Sequence, residues 1–461
     1  MKKENPDVSR RDFLRRMGIG AGAAMASMVI DPLETLADTG RRKKKNEGET
    51  VVASEQNHMT YRVQHGSGEQ VSLLGYGMMR LPSRDRQIDQ DMVNQEVDYA
   101  LAHGVNYFDT APVYHGGQSE VAVGIALSRH PRESYKVATK MSNFDRRSQT
   151  LEGAKRMYEE SFRKLQVDYI DYYLLHSVAG SMDDFENRFI KNGVLDFLLE
   201  ERKAGRIRHL GFSHHGDVRV FDNLLAMNDK VKWDFVQIQM NYLDWRHGKS
   251  SRNTDAEYLY DKLDKLGIQC VVMEPLRGGR LANLPEESAK LLRERRPDDS
   301  IASWAFRWVG SHPNVLTALS GMTTMEVLQE NVRTFSPLDT CTAEENALLE
   351  RVADSVMGFP TVPCTACAYC MPCPYGVDIP GNFAYYNKAI DSRLLPLPDK
   401  SAPDYAERAR QFADGYGQAL AKEAWASRCA DCEACMPKCP QQIRIPNQLG
   451  RIVELVRPPR N

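Results

Sequence analysis

From Ser72 to about Thr334, short apolar runs alternate with longer amphipathic ones, and few folds accept so regular a pattern over so long a tract. Eight strands are predicted: Leu73–Met79, Tyr107–Thr110, Lys136–Met141, Tyr169–His176, His209–Ser213, Phe235–Asn241, Gln269–Glu274 and Leu316–Gly321. The fourth and seventh are nearly unbroken apolar or aromatic sequence, as parallel strands covered on both faces should be. Between them, segments such as Met92–Ala102 and Leu151–Leu165 carry apolar residues at helical spacing. A doubly wound sheet would need a Gly-rich phosphate loop after its first strand. Gly75-Tyr76-Gly77-Met78-Met79 is not one. The expected fold is therefore α/β, a (β/α)8 TIM barrel. Tyr61–Gln64 and Gln70–Leu73, flanking His65-Gly66-Ser67-Gly68-Glu69, read as a hairpin that closes the barrel floor.

Chemistry in such a barrel gathers at the carboxyl ends of the strands. Asp109 ends the second strand, Tyr114 follows in the next loop, Lys140 ends the third strand and His176 the fourth. Singly, each has an ordinary explanation as a turn cap, a snorkelling cation or a half-buried histidine. Together, Asn106-Tyr107-Phe108-Asp109-Thr110-Ala111-Pro112-Val113-Tyr114, Ala138-Thr139-Lys140 and Asp168 to His176 resemble the aldo/keto reductases, nicotinamide-dependent carbonyl reductases, over roughly residues 59–334. The resemblance implies a catalytic tetrad of Asp109, Tyr114, Lys140 and His176. A phenol is a poor acid near neutral pH, so Lys140 is expected to favour the ionised form of Tyr114. Asp109 would hold Lys140, and His176 would orient the carbonyl.

The same resemblance implies a groove for NADP or NAD. Ser213 and Gln237 match residues that hold the nicotinamide carboxamide, and His214 stands where many members have Asn. Met273 falls where an aromatic ring often stacks on the nicotinamide. Pro275, Leu276, Arg277 and Gly279 belong to a loop matching the pyrophosphate cover, where Arg277 and Arg280 suit the charge. Gly321 to Asn331 match the adenosine site, with Asn331 as a contact. That stretch has no Lys or Arg to read a 2′-phosphate, so the choice between NADP and NAD stays open. His214, His215, Trp245 and Arg246 are candidates either for the pocket or for packing.

Eight of the ten cysteines lie between Cys364 and Cys439. The first run holds Cys364, Cys367, Cys370 and Cys373 before Pro374, and the second holds Cys429, Cys432, Cys435 and Cys439 before Pro440. The second has the C-x-x-C-x-x-C-x-x-x-C-P spacing of bacterial ferredoxins, and the first is one residue shorter before its last cysteine. Disulfides and zinc are the competing readings. Pairs two residues apart make strained small rings, and zinc prefers two C-x-x-C pairs per site. Two [4Fe-4S] clusters are expected in a mostly helical ferredoxin-like domain, with Tyr405–Ala421 helical. As in two-cluster ferredoxins, ligation would be crossed: Cys364, Cys367, Cys370 and Cys439 on one cluster, Cys429, Cys432, Cys435 and Cys373 on the other. Cys270 and Cys341, the latter just before a Thr342-Ala-Glu-Glu helix start, read as structural.

The amino terminus adds an address. Ser9-Arg10-Arg11-Asp12-Phe13-Leu14-Arg15 ahead of a Gly- and Ala-rich apolar core resembles a twin-arginine export signal. The organisation expected is a signal peptide over 1–37, a linker over 38–58, the barrel over 59–340 and the cluster domain over 341–461. The apolar stretch Met17–Ile30 falls short of the roughly 20 residues of a spanning helix, so no transmembrane span is expected. A formal net charge of −2 offers no basic field for nucleic acid. The combined expectation is an oxidoreductase exported to the periplasm or the exported face of a bacterial membrane, acting on a small-molecule carbonyl or alcohol, with electrons relayed through the clusters to a redox partner protein or quinone-linked chain. Two alternatives stand beside it: an NAD(P)H-dependent carbonyl reductase with structural clusters, and a redox-sensing regulatory subunit without turnover.

Overall fold

A computed structural model describes residues 58–456 apart from 85–86, 179, 249–253, 358–360, 393 and 396–402. The chain divides into residues 1–52 and 53–461, and the described residues belong to the second unit. The export motif and nearly all of the linker lie outside the described residues.

Eight parallel strands close into a barrel in chain order: β1 (Leu74–Gly77), β2 (Tyr107–Asp109), β3 (Lys136–Met141), β4 (Ile170–Val178), β5 (Ile207–His214), β6 (Phe235–Gln239), β7 (Gln269–Met273) and β8 (Val315–Ser320), with β8 pairing back to β1. Each predicted strand is present, with ends shifted by up to two residues where polar side chains turn into loops. Helices α1 (Gln90–Ala102) and α2 (Leu151–Leu165) start at side-chain caps, Asp89 accepting from Met92 N and Thr150 from Gly153 N. In α2, Ala154, Tyr158, Phe162 and Leu165 recur at three- and four-residue steps and are buried.

The barrel interior is filled by Tyr107, Tyr172, Leu174, Phe235, Val271 and Leu316, with Val71 from below. Val71 belongs to the predicted hairpin, Tyr61–Val63 against Gln70–Ser72. Its tip is pinned at the floor: Gln269 Nε2 donates to Val63 O at 3.0 Å, and Tyr172 Oη donates to the buried Gln64 Oε1 at 3.2 Å. Chemistry is thereby confined to the opposite end.

After the barrel, α3 (Ala343–Met357) opens with a capping box, Thr342 Oγ1 accepting from Glu345 N while Glu345 Oε2 accepts from Thr342 N. Leu348, Leu349, Val352, Ala353 and Val356 pack in the barrel's own core. The domain boundary expected at 340/341 therefore moves beyond residue 356, because this helix completes the barrel wall. The cluster domain has a separate core built by α4 (Ile379–Asp391), α5 (Tyr405–Ala419) and α6 (Ile445–Val456), including Phe383, Tyr386, Phe412, Tyr416, Leu449 and Ile452.

Candidate active site and cluster cradles

The four strand-end residues meet at the carboxyl end. Lys140 Nζ donates to Asp109 Oδ1 at 2.6 Å and to Thr110 O at 2.7 Å, with Lys140 only 1% exposed. Burial pushes Asp109 up and Lys140 down, and each holds the other's charge against that trend. Lys140 Nζ lies 4.8 Å from the Tyr114 ring centroid, over the ring face. Tyr114 is pushed well above the ordinary phenol value, first by burial and then by Tyr369 and Asp109. Burial outweighs the lowering expected of Lys140, whose Nζ is held by Asp109 and Thr110 O, so Tyr114 is a protonated donor at rest.

His176 stands edge-on to Tyr114, ring centroids 5.9 Å apart at 82°. β4 carries a register irregularity between Leu175 and Val178, with Ser177 at φ 51°, and this bulge turns the end of the strand. His176 Nδ1 is 2.6 Å from Ser142 Oγ. Burial first, then Lys140, His215 and Arg188, holds His176 well below the ordinary imidazole value. The ring is neutral at pH 7. In the tautomer in which Ser142 donates to Nδ1, the proton sits on Nε2, free to donate to a substrate oxygen.

These residues line a cavity of about 310 Å³ that also includes Ser213, Gln237, Met273, Pro275, Leu276 and Gly279. Ser213 Oγ accepts from Ser177 N at 2.8 Å and keeps its own proton, while Gln237 Oε1 is buried without a partner. A carboxamide, which both accepts and donates, fits that pair. Three predicted groove residues do not line the cavity. Arg277 pairs with Asp244 at 3.2 Å, and Asn331 Nδ2 donates to Ser320 Oγ at 3.0 Å. Arg280 Nη2 reaches Val356 O instead, at 3.5 Å. Of the four pocket-or-packing candidates, His215 lines the cavity, and His214 packs on Phe221. Trp245 packs on Trp308 and His312, and Arg246 pairs with Glu257 and Glu350.

Sequence reasoning missed the other side of the cavity. Thr365, Cys367, Tyr369, Pro440 and Gln441, all from the cysteine-bearing segments, form its far wall with Arg80 and Glu274. Arg80 Nη2 donates to Thr365 O, and Gln441 Nε2 to Gln239 Oε1 at 2.8 Å. Gly278, at φ 69°, backs so closely on the first run that a Cβ there would lie 2.6 Å from Thr365 Cα. No local pattern announces contacts between residues this far apart in sequence. The Tyr in Cys367-Ala-Tyr369-Cys370 was the one available signal.

The eight thiols ring two voids. Cys364, Cys367, Cys370 and Cys439 line one, while Cys373, Cys429, Cys432 and Cys435 line the other, with Cys370 between. All ten cysteines are free, and among the described residues no three His, Cys, Asp or Glu groups converge on the position of a single metal ion. Both runs share a backbone: Ala366 and Ala368 in the first, Asp431 and Glu433 in the second, have φ of 53°, 61°, 54° and 57°. A left-handed backbone at non-glycine residues is strained, and the recurrence of that backbone at matching positions marks a cradle curled around something. Ala366 N donates to Cys364 Sγ at 3.4 Å, the kind of amide–sulfur contact that cluster thiolates receive. The donor set fits iron–sulfur clusters.

A closed parallel barrel with this polar set at its carboxyl end defines a hydride-transfer oxidoreductase. The chain belongs to the aldo/keto reductase family, which it matches over residues 73–354, and a 4Fe-4S dicluster domain matches residues 363–444. It is 25% identical to L-galactose dehydrogenase of Arabidopsis thaliana over 301 residues, covering 62% of this chain and 90% of that one. It is also 25% identical to the NADH-specific methylglyoxal reductase of Escherichia coli over 298 residues, covering 57% and 89%. The holo form of an aldo-keto reductase from Bacillus halodurans superposes with a TM-score of 0.53 at 27% identity, covering 64% of this chain and 96% of that one. The protein is an aldo/keto reductase-type oxidoreductase, with a nicotinamide cofactor for the barrel and iron–sulfur clusters in the domain that follows.

Proposed function

We propose that the protein is an exported oxidoreductase that oxidises an alcohol or reduces a carbonyl in the barrel and exchanges the electrons with a redox partner through two [4Fe-4S] clusters. One observation carries this reading: Cys367 and Tyr369 of the first cysteine run line the same cavity as Asp109, Tyr114, Lys140 and His176. A bound nicotinamide would supply hydride chemistry there and the clusters one-electron steps.

The residues divide the work. Tyr114, kept protonated by burial, gives its proton to the carbonyl oxygen, or takes one back in the oxidative direction. His176, neutral, donates from Nε2 to the same oxygen. Lys140, fixed by Asp109 and Thr110 O, places a cation over the Tyr114 ring and favours the phenolate whenever the proton leaves. Ser213 and Gln237 hold the carboxamide, and Met273, Pro275, Leu276 and Gly279 line the groove. Cys364, Cys367, Cys370 and Cys439 hold the inner cluster, and Cys373, Cys429, Cys432 and Cys435 the outer.

Free nicotinamide nucleotides are not expected outside the cytoplasm, so an exported enzyme of this kind must retain its own. The first cysteine run packs directly over the loop at Gly278, which supports retention rather than exchange and favours this reading over a reductase that draws on free NAD(P)H. Arg10 and Arg11 provide the export address, and the partner is a redox protein or quinone-linked chain meeting the outer cluster. The test is anaerobic purification of the full chain from the exported compartment. It should be brown, with about eight irons and a co-purifying NADP or NAD. Zinc in place of iron, or a colourless protein, would refute the relay.

A further inference from the structure

A second cavity, of about 200 Å³, lies in the helical shell of the barrel and shares none of its described lining residues with the catalytic one. Three stretches meet there: Tyr242 and Trp245 from the turn after β6, Trp308 and His312 from the end of the Ile301–Gly310 helix, and Asn346 and Glu350 from α3. Trp308 stands nearly perpendicular to Tyr242 and to Trp245, at 77° and 78°, with ring centroids 6.5 and 5.2 Å apart. Rings set at right angles form the walls of a box, and an aromatic face attracts positive charge.

The polar groups have the matching character. Tyr242 is only 4% exposed, and its hydroxyl has no hydrogen-bond partner among the described residues. A buried hydroxyl left unpaired is costly, and a ligand can supply its partner. His312 Nδ1 is 2.9 Å from Trp308 O, and a carbonyl oxygen only accepts, so the proton is on Nδ1. Burial pushes His312 below the ordinary imidazole value, so the ring is neutral at pH 7 and Nε2 is a lone-pair acceptor. Asn346 adds a carboxamide oxygen and Glu350 a negative charge. No Lys or Arg is among the described lining residues, and Arg246, 2.8 Å from Glu350 beside the cavity, divides its charge with Glu257. An anion would meet the Glu350 carboxylate, whereas a cation bearing N–H groups suits both the faces and the acceptors. We propose that this cavity is a binding site for a small primary alkylammonium ion, separate from the catalytic centre: the rings of Tyr242, Trp245 and Trp308 enclose the charge, and Glu350, His312 Nε2 and Tyr242 Oη accept its N–H groups.

The test is calorimetry on the anaerobically purified full chain with butylammonium, tetramethylammonium and butyrate as probes. Butylammonium should bind with a dissociation constant below about 10 mM, and butyrate should give no heat beyond dilution. Tetramethylammonium, which has no N–H to donate, should bind at least about threefold more weakly. Trp245→Leu, which removes one aromatic wall, should weaken butylammonium binding by about twofold to thirtyfold. Glu350→Gln keeps an oxygen for Arg246 and removes only the charge, and should weaken it by about twofold to fivefold. His176→Ala, a change in the catalytic cavity, should leave the constant as it is. Should Trp245→Leu fail to fold, Glu350→Gln, on an exposed side chain, decides. No heat from butylammonium, butyrate or tetramethylammonium binding as tightly, or a loss that follows His176→Ala and not Glu350→Gln would overturn the proposal.

Discussion

The two cysteine runs have the same spacing of left-handed residues and opposite surroundings. In the first, Thr365 and Cys370 are buried, and Cys367 and Tyr369 wall the catalytic cavity. In the second, residues 430–434, with Cys432 at their centre, are exposed. One cradle faces the chemistry and the other faces solvent. The difference teaches that backbone conformation reports what a segment holds, and its neighbours report what the held group is for. On the proposed reading, the inner site adjoining the tetrad and the outer site at the surface would serve as successive stations between substrate and a redox partner.

The largest expected effect comes from silencing the side on which the inner run depends. Tyr114→Phe should cut turnover by roughly 100- to 10,000-fold, as for a lost general acid, while the irons of both runs remain. Steady-state rates with an artificial one-electron acceptor, beside an iron assay, check this. Next, Cys432→Ser and Cys367→Ser should separate the runs. The first should lower acceptor-coupled turnover at least about tenfold yet leave a cluster that substrate can reduce, and the second should remove the inner cluster and that reduction with it. Equal spectra from the two variants would erase the distinction between inner and outer.

How far the sequence foretold this depends on how local each signal is. The strands, the floor hairpin, the tetrad and the cysteine spacing all follow from residues close in the chain, and periodicity or motif reads them directly. Arg277 looked like a phosphate ligand in its loop, but Asp244, from the loop after β6, claims it. Trp245 and Arg246 follow the same strand and turn outward for the same reason: their partners, Trp308 and Glu350, come from later segments. The far wall of the cavity was illegible because it exists only where the second domain meets the first. Lys140 was read as a cation beside Tyr114, but its second hydrogen bond, to the Thr110 carbonyl, was not visible in the motif.

A smaller effect tests the seam between barrel and inner run. Gly278→Ala places a methyl against the Thr365 backbone at a residue with φ 69°, and should cost about 1–3 kcal/mol by strain and overpacking. Chemical unfolding should show the loss, and nucleotide should wash out faster during purification. The corresponding change in the exposed run, Ala434→Gly, should do neither.

The smallest effect concerns buried imidazoles. Burial holds His214 at about 4, below its ordinary value near 6.5. Above pH 6.5 both folded and unfolded forms are neutral there. As pH falls toward 4, the unfolded chain binds the proton first, so stability drops, by about 1 kcal/mol between pH 7.5 and 5.5. His214→Asn should flatten that part of the stability profile in urea titrations at the two pH values. An unchanged slope would mean that the imidazole is not neutral in the folded barrel.

The most direct measurement is an anaerobic titration of the purified protein, carrying its own nucleotide, with a reducing alcohol substrate while the visible and electron paramagnetic resonance spectra of the clusters are followed. The account predicts that substrate alone bleaches the cluster absorbance and raises a reduced-cluster signal, that Cys432→Ser retains part of this response, and that Tyr114→Phe abolishes it. Substrate oxidation at the parent rate with the clusters left oxidised and NAD(P)H released to solvent would contradict it.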